Sequence, residues 1–262
     1  MKRIIIYNNA GGAGKTTTAL NLGYELGQKG KKVLLVDTDS QSDLTGFLGV
    51  NEEELEYSVA DLMLGKASFT DVVLKDVHGI DLIPSKREDV MDLPQLLTTT
   101  AMNQTVLRDC IEDAEIEEEY DFLLIDCPAS MSLIVENVLA AAEQILIPVP
   151  CNEKGLKSTD SMFDIIYKTK KRLNRSLKIL GFVPTFYTKS TSSGVSSLKE
   201  MEDLSQAGKV FSAISRTVAL EDSFTQQLPL ALVKKGKERK RMLDKKTRMI
   251  YSQLADEILE VL

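Results

Sequence analysis

The fold is set by residues 3–18, which read RIIIYNNAGGAGKTTT. An apolar run typical of a buried strand leads into a glycine-rich loop, and a Lys-Thr pair then opens a helical pattern that continues over residues 19–26. Glycines let backbone N–H groups approach phosphate oxygens without a Cβ clash, and the N-terminus of the following helix attracts the same anion. This order of strand, loop and helix predicts a P-loop that binds the phosphates of a nucleotide.

The residue types in this loop have expected roles. Lys15 should contact the β and γ phosphates, and the Thr16 hydroxyl should bind Mg²⁺. The consensus G-x-x-x-x-G-K-[ST] has glycine where this chain has Asn9, so the loop is a variant of the P-loop. The residues expected to surround the phosphates are Gly11, Gly12, Ala13, Gly14, Lys15, Thr16 and Thr17.

Short apolar runs alternate with longer helical patterns along the whole chain. Such alternation predicts an α/β fold, with a doubly wound and mostly parallel sheet covered by helices on both faces. No linker rich in Pro, Gly or Ser divides the chain, so we expect residues 1–262 to form a single P-loop NTPase domain. The predicted strands are residues 3–7, 32–36, 79–83, 122–125, 144–149 and 177–183.

Four motifs resemble those of the ParA/MinD superfamily of deviant Walker ATPases. Residues 10–17 resemble its deviant Walker A box, and residues 33–41, VLLVDTDSQ, resemble its second motif. Residues 120–128, YDFLLIDCP, resemble its Walker B strand, and residues 147–150, IPVP, its next strand. The resemblance covers most of the chain and implies an ATPase that binds ATP or ADP with Mg²⁺ and dimerises on ATP.

One position departs from the family pattern. The family's signature lysine, which reaches the partner's nucleotide across the dimer interface, is replaced here by Ala10. Lys154 follows a predicted strand, where ligand-binding groups gather in α/β sheets, and is the candidate to act in its place. Alternatively, Lys154 is a surface lysine near a helix start. The McdA branch, which positions carboxysomes, resembles this combination, whereas most plasmid and chromosome partition ATPases keep the first lysine.

Three aspartates follow apolar strands. An unpaired carboxylate at the end of a buried strand is costly, so a cation is expected near Asp126. Asp37 and Asp39 are two positions apart, so strand alternation would point both side chains to the same side. The resemblance assigns Asp39 to orienting the attacking water, and Asp37 and Asp126 to the magnesium shell with Thr16. We expect Lys15, Asp39 and Lys154 to be the catalytic residues.

The adenine site is implied by the resemblance alone. It places the base between loops at about residues 184–187 and 214–217, which makes Pro184 and Arg216 the candidates to contact it. Arg216 matches a family arginine, although Ser215 replaces the proline that precedes it there. Phe186 and Tyr187 could equally pack in the core or at a sheet edge. The choice of ATP over GTP has the same basis.

The charge of the chain is unevenly distributed. The formal net charge is −7, which excludes a uniformly cationic coat, yet residues 234–248 hold nine bases against two acids. We expect this basic C-terminal region to be helical and to bind the phosphate backbone of double-stranded DNA without sequence specificity. The alternative is a solvated helix. The bases are Lys234, Lys235, Lys237, Arg239, Lys240, Arg241, Lys245, Lys246 and Arg248.

Two other segments bear on partners. Residues 168–178 hold six bases and no acid, and they could either widen the basic patch or solvate a helix face. Residues 251–262 form an amphipathic pattern whose polar face is acidic. Anionic lipid would repel such a face, so we expect this segment to pack back on the domain and predict no membrane partner.

Several classes of protein are excluded by composition. No export signal is present, and no apolar run reaches the roughly 18 residues that span a bilayer. Three separated cysteines and a single histidine, His78, do not make a zinc cage or favour a Ser/His or Cys/His nucleophile. We expect His78 to lie in a solvated loop. Separately, we expect the protein to be cytoplasmic, and the resemblance implies that it is nucleoid-associated.

The sequence therefore predicts a slow ATP hydrolase that binds DNA as an ATP-dependent homodimer. The resemblance implies that an adaptor protein on a cargo stimulates hydrolysis, and Ala10 with Lys154 favours carboxysome distribution over the nucleoid. The alternatives are a plasmid or chromosome partition ATPase of ParA type, and a scaffold that binds nucleotide without hydrolysing it. An electron-transfer protein like the nitrogenase iron protein would need a cysteine pair to hold a cluster.

Overall fold

The computed structural model describes residues 1–152, 155, 159–235, 241–243 and 245–262, without the side chains of residues 160, 235, 241 and 242. Eight strands form one sheet in the order β3-β4-β2-β5-β1-β6-β7-β8. Every pair is parallel except β3 with β4, as the sequence predicts for a doubly wound fold. The strands are β1 Lys2–Ile6, β2 Val33–Asp37, β3 Leu74–Val77, β4 Ile80–Ile83, β5 Phe122–Asp126, β6 Gln144–Pro150, β7 Lys178–Thr185 and β8 Lys209–Val210.

Helices cover both faces of this sheet. The α-helices are α1 Lys15–Gln28, α2 Asp43–Phe47, α3 Val59–Met63, α4 Phe69–Val72, α5 Arg87–Leu97, α6 Val106–Asp113, α7 Leu133–Ala141, α8 Thr159–Arg172, α9 Ser192–Met201, α10 Val218–Gln226, α11 Lys245–Arg248 and α12 Ile250–Leu259. Short 3₁₀ turns lie at Glu52–Glu54, Ile116–Glu118, Glu202–Gln206 and Leu230–Leu232.

The alternation of side chains along the strands creates two cores. Ile5 and Tyr7 of the first strand segment face a core closed by α3, α5, α6, α7 and α8. Ile4 and Ile6 face the opposite core, which α1, α10 and α12 close. Since both faces of the central strands are buried, the apolar runs carry no polar alternation, which explains why they were recognisable in the sequence.

Two strands of the sheet were not expected from the sequence. β3 contains Lys75 and Asp76, and β8 is only two residues long. Both lie at sheet edges, where one side of the strand meets solvent and polar residues are tolerated. His78 lies in the tight turn between β3 and β4 with a φ of 56°, in agreement with the predicted loop.

The C-terminal helix packs on the domain as predicted. Tyr251, Leu254 and Ile258 of α12 are buried in the core that α1 also closes. Lys29 at the end of α1 forms an ion pair with Asp256 at 2.7 Å. Among the described residues, no helix is both long enough and apolar enough to cross a membrane.

Among the described residues of the basic stretch 234–248, four form strands, so the expectation of a helix is wrong there. Lys234–Lys235 pairs with Arg241–Met242 as an antiparallel ribbon, and only Lys245–Arg248 forms a helical turn. Like charges at i,i+4 spacing destabilise a helix, which disfavours helix formation in so basic a segment. Lys234, Lys245 and Lys246 are exposed and Arg248 is half-buried, whereas Lys237, Arg239 and Lys240 lie outside the described residues.

The second basic stretch lies on the other face of the sheet. Met162 and Ile166 anchor α8 in the core shared with α7, while Val233 and Leu243, which flank the basic ribbon, are buried in the core shared with α1. Lys168, Lys171 and the neighbouring bases are exposed. The two basic surfaces are thus separated by the sheet, and the second does not extend the first.

Asn174 caps the C-terminal end of α7. Its buried side-chain amide donates to the carbonyls of Leu139, Ala140 and Ala142, at 3.1, 3.3 and 2.6 Å. We expect Asn174→Ala to lower the free energy of unfolding by about 1–3 kcal/mol, because it leaves buried carbonyls without a donor. Urea unfolding would measure this loss. The exposed cap Asn51→Ala is the control, and an equal loss in both variants would contradict the assignment.

Candidate functional site

The glycine-rich loop has the conformation that a phosphate site needs. Gly12 and Gly14 adopt φ values of 68° and 89°, in the left-handed region that favours glycine, and α1 begins at Lys15. The backbone can therefore turn its N–H groups toward one point at the N-terminus of α1. Lys15 is 7% exposed, and its ammonium donates to the Ala10 carbonyl at 3.3 Å.

Two side chains that sequence reasoning missed hold this loop in place. The fully buried Asn8 donates from its amide to the Pro148 carbonyl at 2.7 Å and accepts from the Ala10 N–H at 2.8 Å. The Thr185 hydroxyl donates to the Ala13 carbonyl at 2.9 Å. The sequence did offer one signal for Asn8: it is a polar residue directly after a predicted buried strand. A buried amide needs hydrogen-bond partners, so such a residue is expected to hold neighbouring backbone groups.

The loop forms one wall of a cavity of about 480 Å³. All seven predicted phosphate-binding residues, 11–17, line it, and so does Asp39. Phe186, Ile214, Arg216, Thr217 and Leu220 also line it, and the Phe186 ring lies 3.8 Å from the position that a Cβ would take on Gly14. The cavity thus combines the P-loop with an aromatic ring and apolar side chains, a mixture that suits a nucleotide.

The two predicted adenine residues are placed differently. Arg216 lines the cavity, whereas Pro184 is not among the lining residues that the structure describes. The Pro184 carbonyl accepts from the Ile214 N–H at 2.7 Å and joins the end of β7 to the segment before α10. Phe186, which could have been a core residue, is 41% exposed and lines the cavity instead.

Asp126 is a buried carboxylate next to the P-loop. It is fully buried, and neither of its side-chain oxygens accepts a hydrogen bond from the residues that the structure describes. Burial and the neighbouring charge of Asp37 raise the pKa of Asp126 well above its usual range, while Thr16 and Lys15 act in the opposite direction. Oxygen ligands suit Mg²⁺, so Asp126 and the Thr16 hydroxyl fit a magnesium site completed by phosphate and water.

Asp37 and Asp39 do not share the cavity, although strand alternation predicted that they would lie on the same side. β2 ends at Asp37, so the alternation does not continue to Asp39. The Asp37 carboxylate accepts from the N–H and hydroxyl of Thr45, at 2.9 and 2.7 Å, and Asp37 is absent from the described lining of the cavity. Burial raises the pKa of Asp37 to about 7, against the opposing effect of the Thr45 hydrogen bonds. Its role in the magnesium shell stays a prediction.

Lys154 lies outside the described residues, so its role also stays a prediction. Cys127 and Cys151 are both buried, and burial raises the pKa of each thiol, that of Cys151 to about 11. Within the described part of the chain, no group of three or more His, Cys, Asp and Glu side chains could hold a metal ion.

Comparison with known proteins places the chain in a family. Residues 1–179 match the family model described as an AAA domain. The chromosome partitioning protein ParA of Caulobacter vibrioides is 33% identical over 193 residues, which are 73% of this chain and 72% of that protein.

Two solved structures extend the similarity to almost the whole chain. Apo McdA of Cyanothece is 26% identical with a TM-score of 0.84, over 99% of both chains. Cobyrinic acid a,c-diamide synthase of Mycobacterium smegmatis, with bound ADP and magnesium, is also 26% identical with a TM-score of 0.83, over 99% of this chain and 95% of that one. From the P-loop, the sheet order and these similarities, we conclude that the chain belongs to the ParA/MinD superfamily of P-loop ATPases.

Proposed function

We propose that this chain is a magnesium-dependent ATPase that dimerises on ATP, binds double-stranded DNA non-specifically as that dimer, and positions a cargo over the nucleoid in the cytoplasm. The observation that carries the ATPase is a P-loop that lines one cavity with Asp39, together with Asp126, which is buried beside Lys15 and Thr16 outside the lining of that cavity. The synthase from Mycobacterium smegmatis binds ADP with magnesium, and a Cyanothece McdA variant binds ATP on a similar fold.

Each described residue of the site has a task in this proposal. Residues 11–17, which include Lys15, bind the phosphates. Thr16 and Asp126 would hold Mg²⁺, which when bound neutralises charge on the transferred phosphoryl group. Asp39 orients the water that attacks the γ-phosphate. Such a reaction depends on positioning and charge neutralisation more than on a strong base, so one carboxylate at the cavity wall suffices.

The base of ATP occupies the part of the cavity lined by Phe186 and Arg216. The exposed Phe186 ring offers a face for stacking, and Arg216 and Thr217 supply polar groups to the same cavity. Phe186 holds a φ of 54°, which is unusual for a bulky residue. A backbone constraint of this kind is often found where a side chain is fixed against a ligand, which supports its assignment to the base.

DNA binding rests on the basic ribbon and on α11. Lys234, Lys245 and Lys246 present exposed ammonium groups on the side of the sheet that α1 and α12 cover. A local cationic surface on an acidic body suits the phosphate backbone and carries no means of reading bases. The proposed dimer doubles this surface, which makes affinity depend on nucleotide.

The cargo that we propose is a carboxysome. Ala10 with Lys154 and the structural similarity to McdA favour carboxysome distribution. The 33% identity to the Caulobacter partition protein favours plasmid or chromosome partition as the alternative. Both require an adaptor protein on the cargo that stimulates hydrolysis, and both act without a membrane.

The ATPase assignment is tested by Asp39→Ala. We expect phosphate release from Mg-ATP, measured with and without duplex DNA, to fall by about 10²-fold or more, while ATP affinity changes little, because water positioning and not nucleotide contact is lost. Asp92→Ala removes an exposed acid from α5, outside the described lining of the cavity, and should keep turnover near that of the wild type. A wild-type protein without measurable turnover would instead support the scaffold that binds ATP without hydrolysis.

The DNA-binding surface is tested by charge reversal. We expect Lys245→Glu with Lys246→Glu to weaken ATP-dependent binding to duplex DNA and to reduce the magnitude of the slope of log K against log salt by about 3.6, since each phosphate contact contributes about 0.9 and the dimer loses two contacts per subunit. Fluorescence anisotropy at two or more salt concentrations would measure both quantities. The control is Lys168→Glu with Lys171→Glu on the opposite side of the sheet, and an equal loss there would refute the assignment.

The role of Lys154 is tested by dimerisation. In the Asp39→Ala background, which keeps ATP intact, we expect Lys154→Ala to abolish the ATP-dependent dimer seen by light scattering. Lys31→Ala removes a lysine just before β2, at the end of the parallel strands opposite to the P-loop. This variant should leave that dimer unchanged. A dimer that persists without the Lys154 ammonium would make Lys154 a surface residue.

A further inference from the structure

The loop that carries Asp39 is held by hydrogen bonds to the peptide groups before and after this residue. The Asp39 N–H donates to Oδ1 of Asp37 at 3.2 Å, and the Ser85 hydroxyl donates to the Asp39 carbonyl at 2.9 Å. Oδ1 of Asp39 itself accepts from the Gln41 N–H at 3.0 Å. The backbone on either side of the water-orienting residue is therefore fixed before any ligand binds.

These contacts belong to one connected network behind the cavity wall. The Thr45 hydroxyl donates to Oδ2 of Asp37 at 2.7 Å and accepts from the Ser85 N–H at 2.9 Å, and the Thr45 N–H donates to the same Asp37 oxygen. Asp37, Thr45 and Ser85 are each fully buried. A single hydroxyl thus links the strand end at Asp37, the first turn of α2 and the segment after β4.

The network also explains how α2 begins without a cap of its own. Ser42, the residue before α2, has a φ of 54° and makes no side-chain cap, so the first N–H groups of the helix need another acceptor. The Asp37 carboxylate supplies it through the Thr45 N–H. A carboxylate at a helix N-terminus is favourable, and this one ties α2 to the same atoms that hold Asp39.

We propose that Asp37, Thr45 and Ser85 are positioning residues for Asp39, which fix its loop so that its carboxylate meets the attacking water. This inference rests on the proposed ATPase function. A buried and fully satisfied polar network is rigid, and an in-line attack loses rate steeply when a group is displaced by a fraction of an ångström to an ångström. Both carboxylate oxygens of Asp37 accept hydrogen bonds within this network, so Asp37 has a structural role other than direct contact with magnesium.

Two substitutions of Thr45 separate its hydroxyl from its shape. Thr45→Val keeps the branched side chain but removes the hydroxyl, which leaves the Ser85 N–H without its acceptor. Thr45→Ser keeps the hydroxyl and loses one methyl group. We expect kcat for ATP hydrolysis to fall about tenfold or more in Thr45→Val with KM for ATP within about twofold, and to recover to within about threefold of wild type in Thr45→Ser.

A control removes a buried hydroxyl that has no contact with this loop. Ser58 precedes α3 and is fully buried, and its hydroxyl bonds to Asp61 of α3 and Asp89 of α5. Ser58→Ala should lower stability without changing kcat. A tenfold loss of kcat in Ser58→Ala, or full activity in Thr45→Val, would overturn the positioning role.

Amide hydrogen exchange gives a readout that does not need turnover. The peptide covering residues 38–45 should exchange faster in Thr45→Val and at the wild-type rate in Thr45→Ser. If the wild type shows no turnover, the proposed function fails, while unchanged exchange in Thr45→Val would refute the positioning role independently. If Thr45→Val does not fold, Ser85→Ala, which removes the donor to the Asp39 carbonyl, should give the same loss of kcat and the same faster exchange.

Discussion

The site is arranged around one buried negative charge. Asp126 ends a strand in the middle of the sheet, and none of the described residues donates a hydrogen bond to its side chain. A carboxylate in such a place is costly unless a cation neutralises it, and its pKa is raised accordingly. The buried Lys15 ammonium and the Thr16 hydroxyl lie beside it at the start of α1, so magnesium with its phosphate ligands would neutralise this carboxylate where the chain already groups its partners.

The strand order brings the P-loop and the end of β2 next to Asp126. β1 lies between β5 and β6, so the P-loop that follows it is flanked by Asp126 on one side and by the Pro148 carbonyl that holds Asn8 on the other. β2 lies on the far side of β5 and ends in register with Asp126. Because the strands are parallel, the ligand-binding loops all leave the same edge, which is the usual place for a site in this architecture.

The central strands and the P-loop could be predicted from the sequence because each is a local pattern. The edge strands β3 and β8 could not, since they are short and partly polar. Contacts such as Asn8 to Pro148 and Ser85 to Asp39 join residues 140 and 46 positions apart, and only the sheet order brings them together. The expectation that Asp37 and Asp39 point to the same side was wrong because β2 ends at Asp37. Side chains two residues apart share a face only where the chain is an extended strand.

The helix that follows the P-loop, α1, also supports the segment that leads to the basic ribbon. Asn21 of α1 accepts at 2.7 Å from the N–H of Leu230, just before the basic ribbon, and its amide donates to the Thr17 carbonyl in the first turn of α1. Lys29 joins the other end of α1 to α12. Moving the ribbon relative to α1 would break the buried hydrogen bond between Leu230 and Asn21. Under the proposed function, nucleotide control of DNA binding is therefore better explained by dimerisation than by a rearrangement within one chain.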